Sequence, residues 1–188
     1  DFHDSPSVDT ASLDLHRIDT QERDACALIC AVRKGGEPTH GNVKRTIEAL
    51  ARMGHRTGYI DGEGDGVGIL TDIPRELWAR RLVQHGLRSS LATDRGFWVG
   101  HLMIAAKDKP RAQNLVDRIV RMMTDAGLHV IFDQPGQVNR TVLGPSAEKH
   151  EPVFYQLAGL NGEVPLTELD RVLFDLLNRI EGDLGVHF

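Results

Sequence analysis

The 188 residues include 22 Lys and Arg against 27 Asp and Glu, a net charge of −5, with 40% hydrophobic and 26% charged residues. A chain of this length buries about 70% of its unfolded surface without a metal or disulfide staple, and its average composition excludes collagen, coiled coil or disorder as its main state. Lys and Arg interleave with Asp and Glu at a pI near 6.0, so there is no basic field to attract phosphate backbones and nucleic acid is excluded as a partner.

Residues 1–25, "DFHDSPSVDTASLDLHRIDTQERDA", are acidic and Ser/Thr-rich without sustained period, and read as an extended leader rather than an element. They lack the basic and apolar blocks of a signal peptide, and they open without Met, so the chain is expected to be trimmed. No apolar run approaches the roughly 20 residues of a membrane helix; no membrane is expected, and the cytoplasm is.

"ACALICAV", residues 25–32, has strand length and is apolar on both faces, which predicts a strand covered on both sides. "GGEPTHG" punctuates, and Val43, Ile47, Leu50, Ala51 and Gly54 fall on one face of a helix predicted over 41–54. "IDGEGDGVGILTDIP" begins as a glycine-rich loop and ends as a short strand, after which Leu77, Trp78, Leu82 and Val83 mark a helix closing near Gly86.

From Gly96 the chain reads "GFWVGHLMIAA" as strand, "KPRAQNLVDRIVRMMTDAG" as helix with Leu115, Ile119, Met122 and Met123 on one face, and "LHVIFD" as strand. There follow "QPGQVNRTVLG" as turn and edge strand, "PVFYQLAGL" as strand, and a helix through Leu166, Leu169, Leu173, Leu176, Leu177 and Ile180 ending at Gly182. "GVHF" starts another strand. Residues 96–188 therefore predict a β-α-β-β-α-β, ferredoxin-like unit with both helices on one face of an antiparallel sheet. The division expected is a leader over 1–25, a first block over 26–95 and this unit over 96–188.

Cys26 has two readings. Free cysteine is among the most often buried residues, so one is packing in an apolar strand. In the other, a cut between Ala25 and Cys26 creates an α-amino group, of unperturbed pKa about 7.7–8.0, beside the thiol it would serve as base. Cys30 shares the Cys26 face about 13 Å along a strand, too far to chelate jointly, and reads as core. The two cysteines are too few for an iron–sulfur cluster or zinc ribbon and fit a reducing compartment.

"GHRTGY" places His55 and Arg56 at a helix C-terminus, where the dipole favours positive charge. The planar fork of Arg56 also suits bidentate capture of a carboxylate, as an amino-acid substrate requires. "DGEGDGVG" reads first as a turn. As a calcium loop, Asp61, Glu63, Asp65, Gly66 and Asp72 match positions, but Gly68 stands at the usual apolar one, and no metal is expected. As a dinucleotide fingerprint it fails, because Val67 stands where the last glycine belongs.

Taken together, "DACALICAV", "GEPTH" at 36–40, "ALARMGHRT" at 49–57 and "DGEGDGVGIL" at 61–70 resemble the start of the class II glutamine amidotransferase domain of glutamate synthase large subunits. "VLGPSAEKHEPVFYQL" at 142–157 is a weaker echo of the same family. The resemblance implies an N-terminal-nucleophile hydrolase with an αββα sandwich, followed by the ferredoxin-like unit as an insertion, hence an α+β fold. It implies that the leader is removed and that Cys26 attacks the side-chain amide of glutamine with its own amine as base. Arg56 would hold the glutamine α-carboxylate and Asp65 its α-amino group, while the backbones around Thr57, Gly58 and Gly66 shape the pocket. Ammonia is passed in that family to a separate synthase domain using flavin and an iron–sulfur cluster; a glutamate synthase domain or subunit is the implied partner, and neither cofactor is expected in this chain.

The chain departs from the family pattern where Ala27 and Ile29 replace glycines beside the nucleophile and Thr57 replaces another. "NGE" at Asn161, Gly162 and Glu163 echoes the family's oxyanion-hole segment but lacks its His and reads as a turn. The given sequence is expected to be the first part of a longer domain or a shortened relative. A second reading stays open: a catalytically inactive relative that binds an amino acid or a partner protein as a regulatory or assembly subunit.

Overall fold

The computed structural model describes residues 27–60, 62–64, 66–105, 109–184 and 186–187. The leader, Cys26, Asp61 and Asp65 lie outside the described residues, as does the side chain of His55. The chain divides into two compact units between Leu70 and Thr71.

The first unit is built on helix α1, His40–Ala51, which starts where Thr39 accepts a hydrogen bond from the Asn42 backbone N–H at 3.3 Å. A 3₁₀ turn, Gly54–Arg56, follows, and strands β1, Tyr59–Ile60, and β2, Glu63–Gly64, pair antiparallel as a hairpin. Residues 27–32 form no strand, contrary to the sequence expectation, and Leu28 and Val32 are 90% and 84% exposed. A strand needs a neighbour to take its N–H and C=O groups, and among the described residues none pairs with this segment. Cys30 is therefore exposed rather than core. Ile69 and Leu70, expected to begin a strand, are likewise irregular and exposed.

The second unit places helix α2, Arg75–Gln84, before a sheet of β3, Trp98–Ile104, β4, His129–Pro135, β5, Val153–Leu160, and β6, Val186–His187. Helix α3, Lys109–Asp125, joins β3 to β4; a one-turn helix α4, Pro145–Lys149, precedes β5; and α5, Leu169–Leu184, joins β5 to β6. The strand order is β4-β5-β3-β6 with every pair antiparallel. This mixed helix and sheet architecture is the α+β class read from the sequence.

Period-two alternation sorts the β5 side chains. Tyr155 and Leu157 join the core formed with α3 and α5, while Ala158 and Leu160 face the cluster around Trp78 and Leu82 of α2. Leu102, Ile104, Val116, Ile119, Leu157 and Ile180 are fully enclosed, each contributing about 1.5–3 kcal/mol of burial. Gly159 is required by close approach, since a Cβ there would run into the Trp98 ring and the His129 carbonyl. Residues 75–95 pack on the second unit's sheet. Their apolar residues Trp78, Leu82 and Ala92 close over Phe97, Phe132 and Ala158.

The edge segment expected within 134–144 forms a 3₁₀ turn, Arg140–Val142, rather than a strand, because Asn139 Oδ1 accepts from the Thr141 N–H and hydroxyl and turns the chain locally. α5 also runs past Gly182 to Leu184.

Candidate functional site

The residues that lead into α1 are tied down by side chains. Arg33 donates to Thr39 Oγ1 at 3.2 Å and pairs with Glu37 at 3.4 Å, while Asn42 Nδ2 reaches the Ala31 carbonyl at 3.1 Å. The "GEPTH" turn is thereby fixed between residues 27–32 and α1. Its last residue but one, Thr39, doubles as the helix cap.

At the other end of α1 the chain does not stop at once but tightens into the 3₁₀ turn. The Arg56 and Thr57 backbone N–H groups donate to Met53 and Gly54 carbonyls at 2.8 and 3.1 Å. Arg56, Thr57 and Gly58 are thus brought together on one turn, with the Arg56 side chain exposed. Among the described residues no carboxylate forms an ion pair with Arg56.

The hairpin that follows was legible in part. Gly62 lies between its strands at φ 83°, where a side chain is strained. Tyr59 pairs with Gly64, and a Cβ on Gly64 would stand 3.0 Å from the Tyr59 ring, which would have to give by a few tenths of an ångström. Gly66 lies beyond the hairpin, exposed and outside any regular element.

Residues missed by the sequence reading are those lining a groove of about 420 Å³ between the segment after Cys26 and α1. Ala27, Leu28, Ile29, Thr46, Leu50 and Ile69 line it. The signal available was the helical spacing of Thr46 and Leu50, which puts them on one face of α1. Asn161 and Gly162 form a turn between β5 and α5, with Asn161 Nδ2 donating to the Val164 carbonyl at 2.6 Å. Among the described residues no group of three or more His, Cys, Asp or Glu side chains is placed to hold a metal, and no helix is long and apolar enough to cross a membrane.

The family model described as glutamine amidotransferases class-II matches residues 26–187. The chain belongs to this family. Within it, the chain is similar to ferredoxin-dependent glutamate synthase 2 of Synechocystis sp., 32% identical over 165 residues that cover 82% of this chain and 10% of that protein. It is 30% identical over 140 residues to glutamate synthase [NADH] of Saccharomyces cerevisiae, covering 72% of this chain and 6% of the relative. A ferredoxin-dependent glutamate synthase of Cyanidium caldarium is 28% identical over 171 residues, 88% of this chain and 11% of its own length. This class II amidotransferase chain thus spans about a tenth or less of the curated relatives it matches, and the match opens at Cys26.

Proposed function

We propose that this chain is the glutamine-hydrolysing part of a glutamate-synthase-type system, with Cys26 as nucleophile once residues 1–25 are removed. The observation that carries the reading is that the family match opens at Cys26, while Arg56 is presented on a tight turn without a carboxylate partner among the described residues. In the proposed reaction the Cys26 α-amine accepts the thiol proton and the thiolate attacks the glutamine Cδ. The proton then leaves with ammonia, and water cleaves the thioester to give glutamate. Arg56 holds the substrate α-carboxylate through its fork, and Asp65 holds the α-ammonium. The turn around Thr57 and Gly58, together with Gly66, shapes the pocket.

On this reading residues 26–95 contribute to an αββα sandwich and residues 96–188 form a ferredoxin-like insertion. The strand order β4-β5-β3-β6, with α3 and α5 sharing one core, supports the insertion. The partner is a synthase domain or subunit that carries flavin and an iron–sulfur cluster and receives the ammonia; this chain itself binds glutamine and neither cofactor.

The half-buried side chains of Ala27 and Ile29, which line the groove along α1, favour a second reading, an amidotransferase-like subunit that binds an amino acid without turnover. N-terminal sequencing of the native protein, iodoacetamide labelling and a glutaminase assay separate the two. The enzyme reading expects a chain starting at Cys26, a fast-reacting Cys26 thiol and loss of glutamine hydrolysis in Cys26→Ser. Hydrolysis that persists in Cys26→Ser overturns it. A native chain that retains the leader and an inert Cys26 leaves the binding reading in its place.

A further inference from the structure

The α2-facing side of the second unit's sheet carries a cluster of basic and amide side chains with no acidic member. α2 supplies Arg81 and His85. The strands supply Gln134, Gln156 and His101, which the register sets in a row, Gln134 opposite Gln156 and Gln156 opposite His101. Arg81 Nη1 donates to Gln156 Oε1 at 2.6 Å, and the guanidinium lies 4.9 Å from the Trp78 ring centroid and 5.4 Å from that of Phe132.

These contacts dictate proton positions. Arg81 is a donor only, so Gln156 must present its oxygen to it and its Nε2 to His101 Nδ1 at 3.3 Å. His101 then accepts at Nδ1 and carries its proton on Nε2. Gln134 Nε2 stands 3.1 Å from His85 Nδ1. The His101 imidazole thus keeps an Nε2–H donor that Gln156 does not use, and the His85 ring keeps an Nε2 that Gln134 does not reach.

Arg81 has no ion-pair partner among the described residues. The guanidinium rests against the neighbouring Trp78 and Phe132 rings and Nη1 is taken, which leaves the Nε and Nη2 edge, the geometry that holds two oxygens side by side. Arg75, Arg80 and Arg81 outnumber Glu76 on α2. The α2-facing strand positions Val99, His101, Phe132, Gln134, Gln156 and Ala158 include no carboxylate. In a chain of net charge −5, this is a fixed local excess of positive charge.

We propose that Arg81, flanked by His85 and His101, forms a binding site for a small oxyanion, a carboxylate or a phosphate, separate from the amidotransferase residues and independent of turnover at Cys26. The anion sits against the free guanidinium edge, with the His85 and His101 imidazoles on either side.

The test is an NMR titration of the full chain with inorganic phosphate and, separately, with succinate, following the His85 and His101 ring signals and the Trp78 indole. Saturable shifts at all of them are expected, with the anion that saturates at lower concentration identifying the ligand class. Arg81→Met, which keeps the aliphatic stem, should weaken binding at least about tenfold, and His101→Phe about threefold. Absence of saturable shifts with both anions, or unchanged affinity in these variants, overturns the site. Should Arg81→Met fail to fold, His101→Phe decides alone, because His101 is exposed and outside the core.

Discussion

Arg56 owes its place to a backbone device: α1 ends at Ala51, and the chain tightens into a 3₁₀ turn so that Arg56, Thr57 and Gly58 leave together toward β1. If its fork holds the substrate carboxylate, Arg56→Lys replaces two parallel bonds by one point charge. The expected result is a KM for glutamine raised about tenfold, with kcat changed less, in steady-state kinetics of the processed enzyme. An unchanged KM removes Arg56 from the substrate site. Its position just past a helix was legible in the sequence, where a forked cation follows a helical pattern and precedes Thr57 and a glycine. Cys30 was not, because its hydrophobic neighbours predict burial, whereas exposure is settled by whether another strand lies alongside. The Arg81, Gln156 and His101 cluster was not legible either. Its members lie on α2, β5 and β3, and only sheet register brings them together.

At the scale of elements, helices with a strong apolar face were readable, as was β6 at "GVHF", whereas the first unit's hairpin strands were not. The spacing of Ile119 and Met123 predicts the face that α3 buries, and Trp78 and Leu82 do the same for α2. The β1–β2 hairpin was read only as a glycine-rich loop because its glycines mask its two-residue strands. The contact of β4 with α3 adds an electrostatic consequence. Asp133 has its pKa raised above the ordinary 3.8, first by desolvation and then by the Asp117 carboxylate, against a backbone hydrogen bond that lowers it. The same neighbourhood raises Tyr155, chiefly through desolvation and then through Asp133 and Asp117, while the Tyr155 hydroxyl donates to Gln113 Oε1 at 2.9 Å. A raised carboxyl binds its proton more tightly in the folded chain than in the unfolded one. The stability it confers is full below the unfolded value of 3.8 and is lost as pH rises through the higher folded value. Asp133→Asn is therefore expected to stabilise the protein at neutral pH, by less than about 1 kcal/mol because Asp133 is solvent-screened. The gain should shrink toward zero on acidification to pH 3.8 and below. Urea titrations of both proteins at neutral and acid pH measure it, and a gain that does not fall with pH assigns the effect to packing instead.

Across the whole molecule, burial is uneven. Every buried hydrophobic residue among those described, from Trp78 to Ile180, belongs to the unit that begins at Thr71, while residues 27–70 include none. Leu28, Val32, Val67 and Leu70 are 77% exposed or more, so hydrophobic burial contributes little to order in the first unit, which relies on capping, turn hydrogen bonds and exposed ion pairs. Exposed pairs such as Arg33–Glu37 and Lys44–Glu48 are worth under about 1 kcal/mol each. Opening free energies follow local burial, so the two units should differ by orders of magnitude in amide exchange. Hydrogen exchange read by mass spectrometry is expected to show α1 and the hairpin exchanging early, and β3, β5 and α3 protected to the limit of global unfolding. If a synthase partner covers the apolar residues of the first unit, adding it should slow exchange across residues 27–70 and leave the β3 and β5 amides unchanged. Protection of α1 equal to that of α3 in the chain alone would show that the first unit draws on packing beyond the contacts described, and would refute the ranking.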